Sequence, residues 1–252
     1  MDMAPVPLIL DYVRAVLSIA MLGYASYKDM KTREIHDYVW LFPATGGAVL
    51  GIYELFIGTI SVMDIGISLG FMAVLSGILW YFRLFGEADL LAFIALSIIH
   101  PRTPGFGFIG YPPLLFSFTL IANSALSGLL AAFYTLASNL SLSTRVPLFE
   151  AHPEASTLTR LGLMFTGEYK ALGDIRGPPF EYPLEVRGGL VLMPDIWDDD
   201  KANNELRILR EKGRERAWVS ATLPYIVVLF VGYLISVCFG DVMFTLMAWV
   251  TS

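Results

Sequence analysis

The chain has 252 residues, a formal net charge of −6, 56% hydrophobic and only 16% charged residues, and a mean hydropathy of +0.62. Soluble globular domains carry about 25% charged residues, so this composition excludes that class and reads as a polytopic membrane protein. A single cysteine, Cys238, excludes a disulfide framework and any cysteine-based zinc site.

From the N-terminus, Met1 to Leu10 has no basic n-region, carries Asp2 and precedes no small-residue cleavage site. The first apolar segment is therefore expected to stay as an anchor and not to be removed as a signal peptide. A hydrocarbon core of about 30 Å takes roughly 20 apolar residues in a helix. On that measure Tyr12 to Tyr27 is the first span, broken only by Arg14, and Tyr38 to Ile57 is the second, with Glu54 near its far end. Ile65 to Phe82 is the third, bracketed by Asp64 and Arg83. Leu90 to Ile99 is short and is either a tilted fourth crossing or a re-entrant segment. Thr103 to Thr144 is free of charge, but Pro104, Gly105, Gly107, Gly110, Pro112 and Pro113 break its first part, so a helix is predicted from Leu114 to about Leu140. Ala217 to Gly240 is the last predicted span.

Charge distribution decides the fourth segment. Basic residues of short loops favour the cytoplasmic side. A crossing fourth segment places every Lys and Arg except Arg14 and Arg102 on one side, whereas a re-entrant one splits them. The expected fold is thus an all-α polytopic membrane protein with six transmembrane helices, both termini outside, and a small cytoplasmic α+β domain between helices 5 and 6. The expected domains are residues 1–140, 141–216 and 217–252.

Within the polar stretch, Arg160 to Phe165 and Gly188 to Pro194 are short apolar runs bounded by turn residues, which predicts strands, the second central to a small sheet. Ala202 to Arg216 has helical spacing. Asp198 to Asp200 reads as solvated surface and not as a cation site. His36, His100 and His152 lie far apart without ligand spacing, so neither metal nor cofactor is expected. Trp40 and Trp218 fit an interfacial aromatic belt.

Two acids stand out at the ends of apolar segments, Asp29 in Tyr27-Lys28-Asp29-Met30-Lys31-Thr32-Arg33-Glu34-Ile35-His36-Asp37 and Asp89 in Gly86-Glu87-Ala88-Asp89. Either alone is commonly interface decoration. The six-span topology, however, brings both to the cytoplasmic edge, since the first and third helices descend to that face. Peptide hydrolysis by carboxylates needs one acid to polarise the carbonyl and one base to take a proton from water. Two carboxyls close together meet this need by sharing one proton.

These residues carry a resemblance. Asp29 with Arg33-Glu34-Ile35, Asp37 and Trp40, together with Gly86-x-x-Asp89, resembles the archaeal preflagellin peptidases of the GxGD membrane aspartyl protease family, related to the type IV prepilin peptidases. The resemblance implies an aspartic endopeptidase with Asp29 and Asp89 as the catalytic pair, Gly86 as the motif glycine, and Glu87, Ala88, Arg33 and Asp37 as supporting residues. It also implies substrates that are membrane-inserted archaellin or pilin-like precursors, cut between a short charged leader and an apolar helix. The chain departs from the family where Ala88 replaces the second motif glycine and where Leu91 stands at a frequent lysine position. It also lacks the CxxC pairs of methylating relatives, so methylation is not expected. Glu34, Asp37 and Glu87 read as loop or capping charges, and His36 as an interfacial histidine. Partners are then the precursor and the lipid bilayer, with no nucleic acid. The alternatives are a proton-coupled transporter, which predicts acids deep in helices and an internal repeat, and a non-catalytic membrane scaffold docking partners through residues 141–216.

Overall fold

The computed structural model describes residues 5–187, 189–221 and 224–251. The chain divides into two compact units, Met1–Gly128 with Pro224–Ser252, and Leu129–Leu223.

The first unit is helical: α1 (Pro5–Thr32), α2 (Tyr38–Phe56), α3 (Val62–Tyr81), α4 (Glu87–Ile99) and the first half of α5 (Phe116–Ser143). Among the described residues four helices are long and apolar enough to cross a membrane, namely α1, α2, α3 and α5. The 13 residues of α4 rise about 20 Å, which is short of the hydrocarbon thickness. The helix tolerates this because it is held between α2 and α3. Ala92, Phe93, Ala95, Leu96 and Ile99 are buried by protein. The approach is close enough that a Cβ on Gly47 of α2 would fall 2.7 Å from the Cα of Ile99.

At one end of this unit buried charges are paired with one another, as burial favours. Arg14 of α1 forms an ion pair with Glu54 of α2 and donates to the Ile99 carbonyl. Arg102 reaches Glu54 at 3.2 Å and Asp11 at 3.1 Å, and Asp11 accepts the Gly105 N–H at 2.7 Å. Two carboxylates and two guanidiniums thus form one neutral cluster. Beside it, the fully buried His100 lies 3.0 Å from the Ser18 hydroxyl and 3.1 Å from that of Tyr233. Trp40, expected in an aromatic belt, is instead 3% exposed in the core, alongside Met21, Ala25 and Ala92.

The second unit holds the end of α5, then α6 (Thr157–Thr166), β1 (Gly167–Ala171), β2 (Glu181–Pro183), β3 (Glu185–Val186), β4 (Gly189–Leu190), α7 (Asp199–Glu211) and β5 (Arg216–Ala221). An antiparallel sheet has the order β1-β5-β2, and β3 and β4 form a separate two-stranded ladder. Several expectations are corrected here. Arg160 to Phe165 is helix: the Ser156 hydroxyl accepts the Thr159 N–H at 3.1 Å and starts α6. The run from Gly188 to Pro194 supplies only the short edge strand β4, and Gly188 lies outside the described residues. The Asp198 side chain caps α7 at the Lys201 N–H, 2.9 Å away, and Asp199 and Asp200 occupy its first turn, where the helix dipole favours them. This helix also begins and ends earlier than expected, closing at Lys212 before Gly213 at φ 68°.

The largest correction concerns Ala217 to Gly240, expected as one span. Its first part is the central strand β5, with Ala217 and Val219 buried in one cluster and Trp218 in another on the opposite face. A strand covered on both faces is apolar without alternation, and hydropathy alone cannot tell it from a membrane helix. Among the described residues of this run Tyr225–Cys238 alone is helical (α8), with 14 residues rising about 21 Å. A further helix, α9 (Val242–Thr251), follows beyond the end of the last predicted span. Both belong to the first unit, where α8 packs on α1.

Glu185 organises the second unit's interior. Its buried carboxylate accepts from the Trp218 N–H at 2.9 Å and from Arg214 at 2.9 Å, and meets His152 Nε2 at 3.1 Å. Glu185→Ala leaves these groups without their acceptor and is expected to destabilise the unit by about 3 kcal/mol or more. Faster tryptic cleavage at its many Lys and Arg residues in intact membranes is the measurement, and an unchanged rate would contradict the role.

Candidate active site

Asp29 lies in the last turn of α1 and is 8% exposed. Arg33, one turn on, adopts φ 58°, which stops the helix and turns the chain back. Its guanidinium sits 3.4 Å from the Asp29 carboxylate. A second contact comes from α8, whose Ile226 backbone N–H donates to Asp29. The Ser26 hydroxyl, on the preceding turn of α1, donates to the Ile226 carbonyl at 3.3 Å.

Asp89 is half-buried in the first turn of α4. Its carboxylate accepts the Gly86 N–H at 3.1 Å and so satisfies a donor at the helix start. Gly86 has φ −72° and ψ 162°, extended backbone open to any residue, and a Cβ there would lie an ordinary 3.6 Å from the Asp89 oxygen. The glycine is therefore not required by a left-handed bend. Ala88, where the resemblance would place a second glycine, is inside the helix and packs on the core, and alanine is the strongest helix former. The departure from the motif has no backbone cost.

The fold brings Asp29 and Asp89 together: each carboxylate lies within electrostatic reach of the other and of Arg33. Glu87 and Asp37 stay exposed, and Asp37 sits at the start of α2 without capping it through its side chain. Glu34 and His36 are also exposed, the latter stacked on Tyr38 at 5.5 Å. A third element, unforeseen from the sequence, completes the surroundings. Tyr225 in the first turn of α8 packs 4.4 Å from the Phe85 ring and 5.9 Å from the Phe93 ring, one residue before Asp89's motif and one turn after it, and lies within electrostatic reach of Asp89. Pro224 at the start of α8 is the available signal, hidden when the whole apolar run is taken as one helix. Among the described residues no cluster of His, Cys, Asp or Glu could hold a metal ion.

Residues 16–136, which contain both aspartates, match the type IV leader peptidase family. Through this segment the chain is similar to that family. A preflagellin peptidase from Methanococcus maripaludis strain C6 is 25% identical over 248 residues, covering 92% of this chain and 96% of that protein. This chain is accordingly a protease, and its apolar helices fit a membrane protein. The leader peptidase match ends at residue 136, so the α8 residues at the site lie beyond it.

Tyr225→Ala removes the ring that packs on Phe85 and Phe93 beside Asp89. Proteolytic cleavage is expected to fall about tenfold, since a small misplacement of a reacting group can cost more than that. A membrane cleavage assay with the variant measures it.

Proposed function

We propose that the protein is an aspartic endopeptidase that removes the short charged leader of archaellin or pilin-like precursors at the cytoplasmic face. The observation that supports this most is the convergence of Asp29 and Asp89 from the ends of α1 and α4. One carboxylate, ionised, takes a proton from water as the hydroxyl attacks the scissile carbonyl. The other, protonated, donates to the carbonyl oxygen. The resulting gem-diol collapses with proton transfer to the departing amine, which releases the leader. Two carboxyls within electrostatic reach of each other favour the singly protonated form, because ionising both is costlier than ionising one.

The orientation that suits this chemistry has six crossings, with α4 and α8 completing the four long helices. Both termini then lie outside, and the domain that follows α5 and includes β5 through Ala221 is cytoplasmic, where a substrate-docking or lid role suits its lack of nucleotide or nucleophile motifs. A precursor whose leader is cytoplasmic and whose apolar helix is in the bilayer presents its junction at this edge. The test is full-length protein in liposomes with an archaellin precursor and a pilin-like precursor, read by N-terminal sequencing of the products. Cleavage at the leader junction supports the proposal. Intact precursors overturn it in favour of transport or scaffolding.

A further inference from the structure

We infer that the second unit carries a lipid-binding surface, formed by the outer face of α6 and the loop at 192–197, that seats in the headgroup boundary of the bilayer. Its basis is amphipathicity combined with continuity to a membrane helix. On α6, Leu163 points inward and is fully buried, whereas Leu158 and Leu161 on the other face are 75% and 53% exposed. Phe165 continues that outer stripe at helical spacing. Leu192 rests on the same face at Gly162, where a Cβ would come within 2.6 Å of its Cδ2. Beside Leu192, Met193 is 76% exposed, and Trp197, of the type enriched at membrane boundaries, is 47% exposed. An apolar patch of this extent on an otherwise charged unit marks a contact surface.

The occupant follows from α5. Phe165 packs on Phe133 of α5 at 5.8 Å, and Asn139, further along α5, donates to the carbonyls of Met164 at 3.0 Å and Gly167 at 2.7 Å. The 28 residues of α5 rise about 42 Å, about 12 Å more than the hydrocarbon core, so a helix entering near Phe116 leaves the core in the region of Phe133 to Thr135. There α5 exposes Leu130 and Tyr134. The end of α6 is therefore joined to α5 where it leaves the bilayer, and its apolar stripe extends the lipid-exposed surface. A short helix with one apolar face lying in the interface plane is the expected form of such a contact.

The test uses full-length protein in liposomes. Cys238, the single cysteine, is replaced by serine. An environment-sensitive fluorophore is then attached at Leu158→Cys, Met193→Cys or, as a control on α7, Glu211→Cys, a site whose native side chain is 62% exposed. Nitroxide on lipid acyl chains is expected to quench the labels at 158 and 193 at least about twofold more than the label at 211, with aqueous iodide giving the reverse order. Iodide quenching at 158 and 193 equal to that at 211 overturns the inference. So does protection from both quenchers, which would mean that protein covers the face, whether another part of the chain, a second copy or a precursor. The lipid surface does not rest on the leader peptidase assignment, and neither result bears on it.

Discussion

Asp29→Asn and Asp89→Asn are each expected to lower precursor cleavage by about 100- to 10,000-fold, the range contributed by a positioned acid or base. Asparagine preserves shape and an acceptor oxygen. The Gly86 N–H can still be accepted at position 89 and the Ile226 N–H at position 29. The substitutions remove the carboxyl's charge and its capacity to exchange a proton, and at position 29 the part-exposed Arg33 ion pair with them; such a pair is worth little, so the loss should appear in turnover while the thermal midpoint stays near that of the parent. Membranes containing each variant, given an archaellin precursor, provide the measurement. Near-normal cleavage by either variant would sink the two-carboxylate mechanism. Equal losses from the single and double variants would show the two acids acting as one unit, as interdependent catalytic groups do.

The second large effect is on stability. Glu54→Ala leaves Arg14, 2% exposed, without its carboxylate and deprives Arg102 of one of its two. Breaking a buried pair from one side costs about 3–5 kcal/mol. Arg14→Met combined with Glu54→Leu removes one charge of each sign and leaves Arg102 with Asp11 at 3.1 Å. That double variant is expected to recover most of the loss, because the pair's desolvation disappears with it. Thermal unfolding in detergent compares them. A double variant as unstable as Glu54→Ala would show that Arg14 matters for its hydrogen bond to the Ile99 carbonyl and not for charge balance.

This ion cluster shows how much more the chain offers than hydropathy extracts. Arg14 near the start of one span and Glu54 near the end of the next stand at the same depth in an antiparallel pair, and Arg102 follows the short fourth helix at that same end. Opposite charges so placed are readable as partners from their positions along the chain. By contrast, the convergence at the opposite end is only half readable. Asp29 and Asp89 are visible from motif and side, whereas Tyr225 and Ile226 are not, because nothing local says that an apolar run changes from strand to helix at Pro224. The difficulty with α6 has a related origin: a six-residue window fits strand and helix alike, and the deciding Ser156 cap lies just outside it.

The amino-acid sequence by itself determined the membrane class, the three long helices before residue 82 and the fourth after Phe116, and the two aspartates at helix ends, because apolar length and isolated charge are local properties priced directly by the bilayer. Tertiary structure alone decided that α4 could be short, that β5 is a central strand with Trp218 inside it, and that the first turn of α8 reaches both carboxylates. In each case the free energy depends on what covers the apolar surface, lipid or protein, and the two leave the same trace in hydropathy.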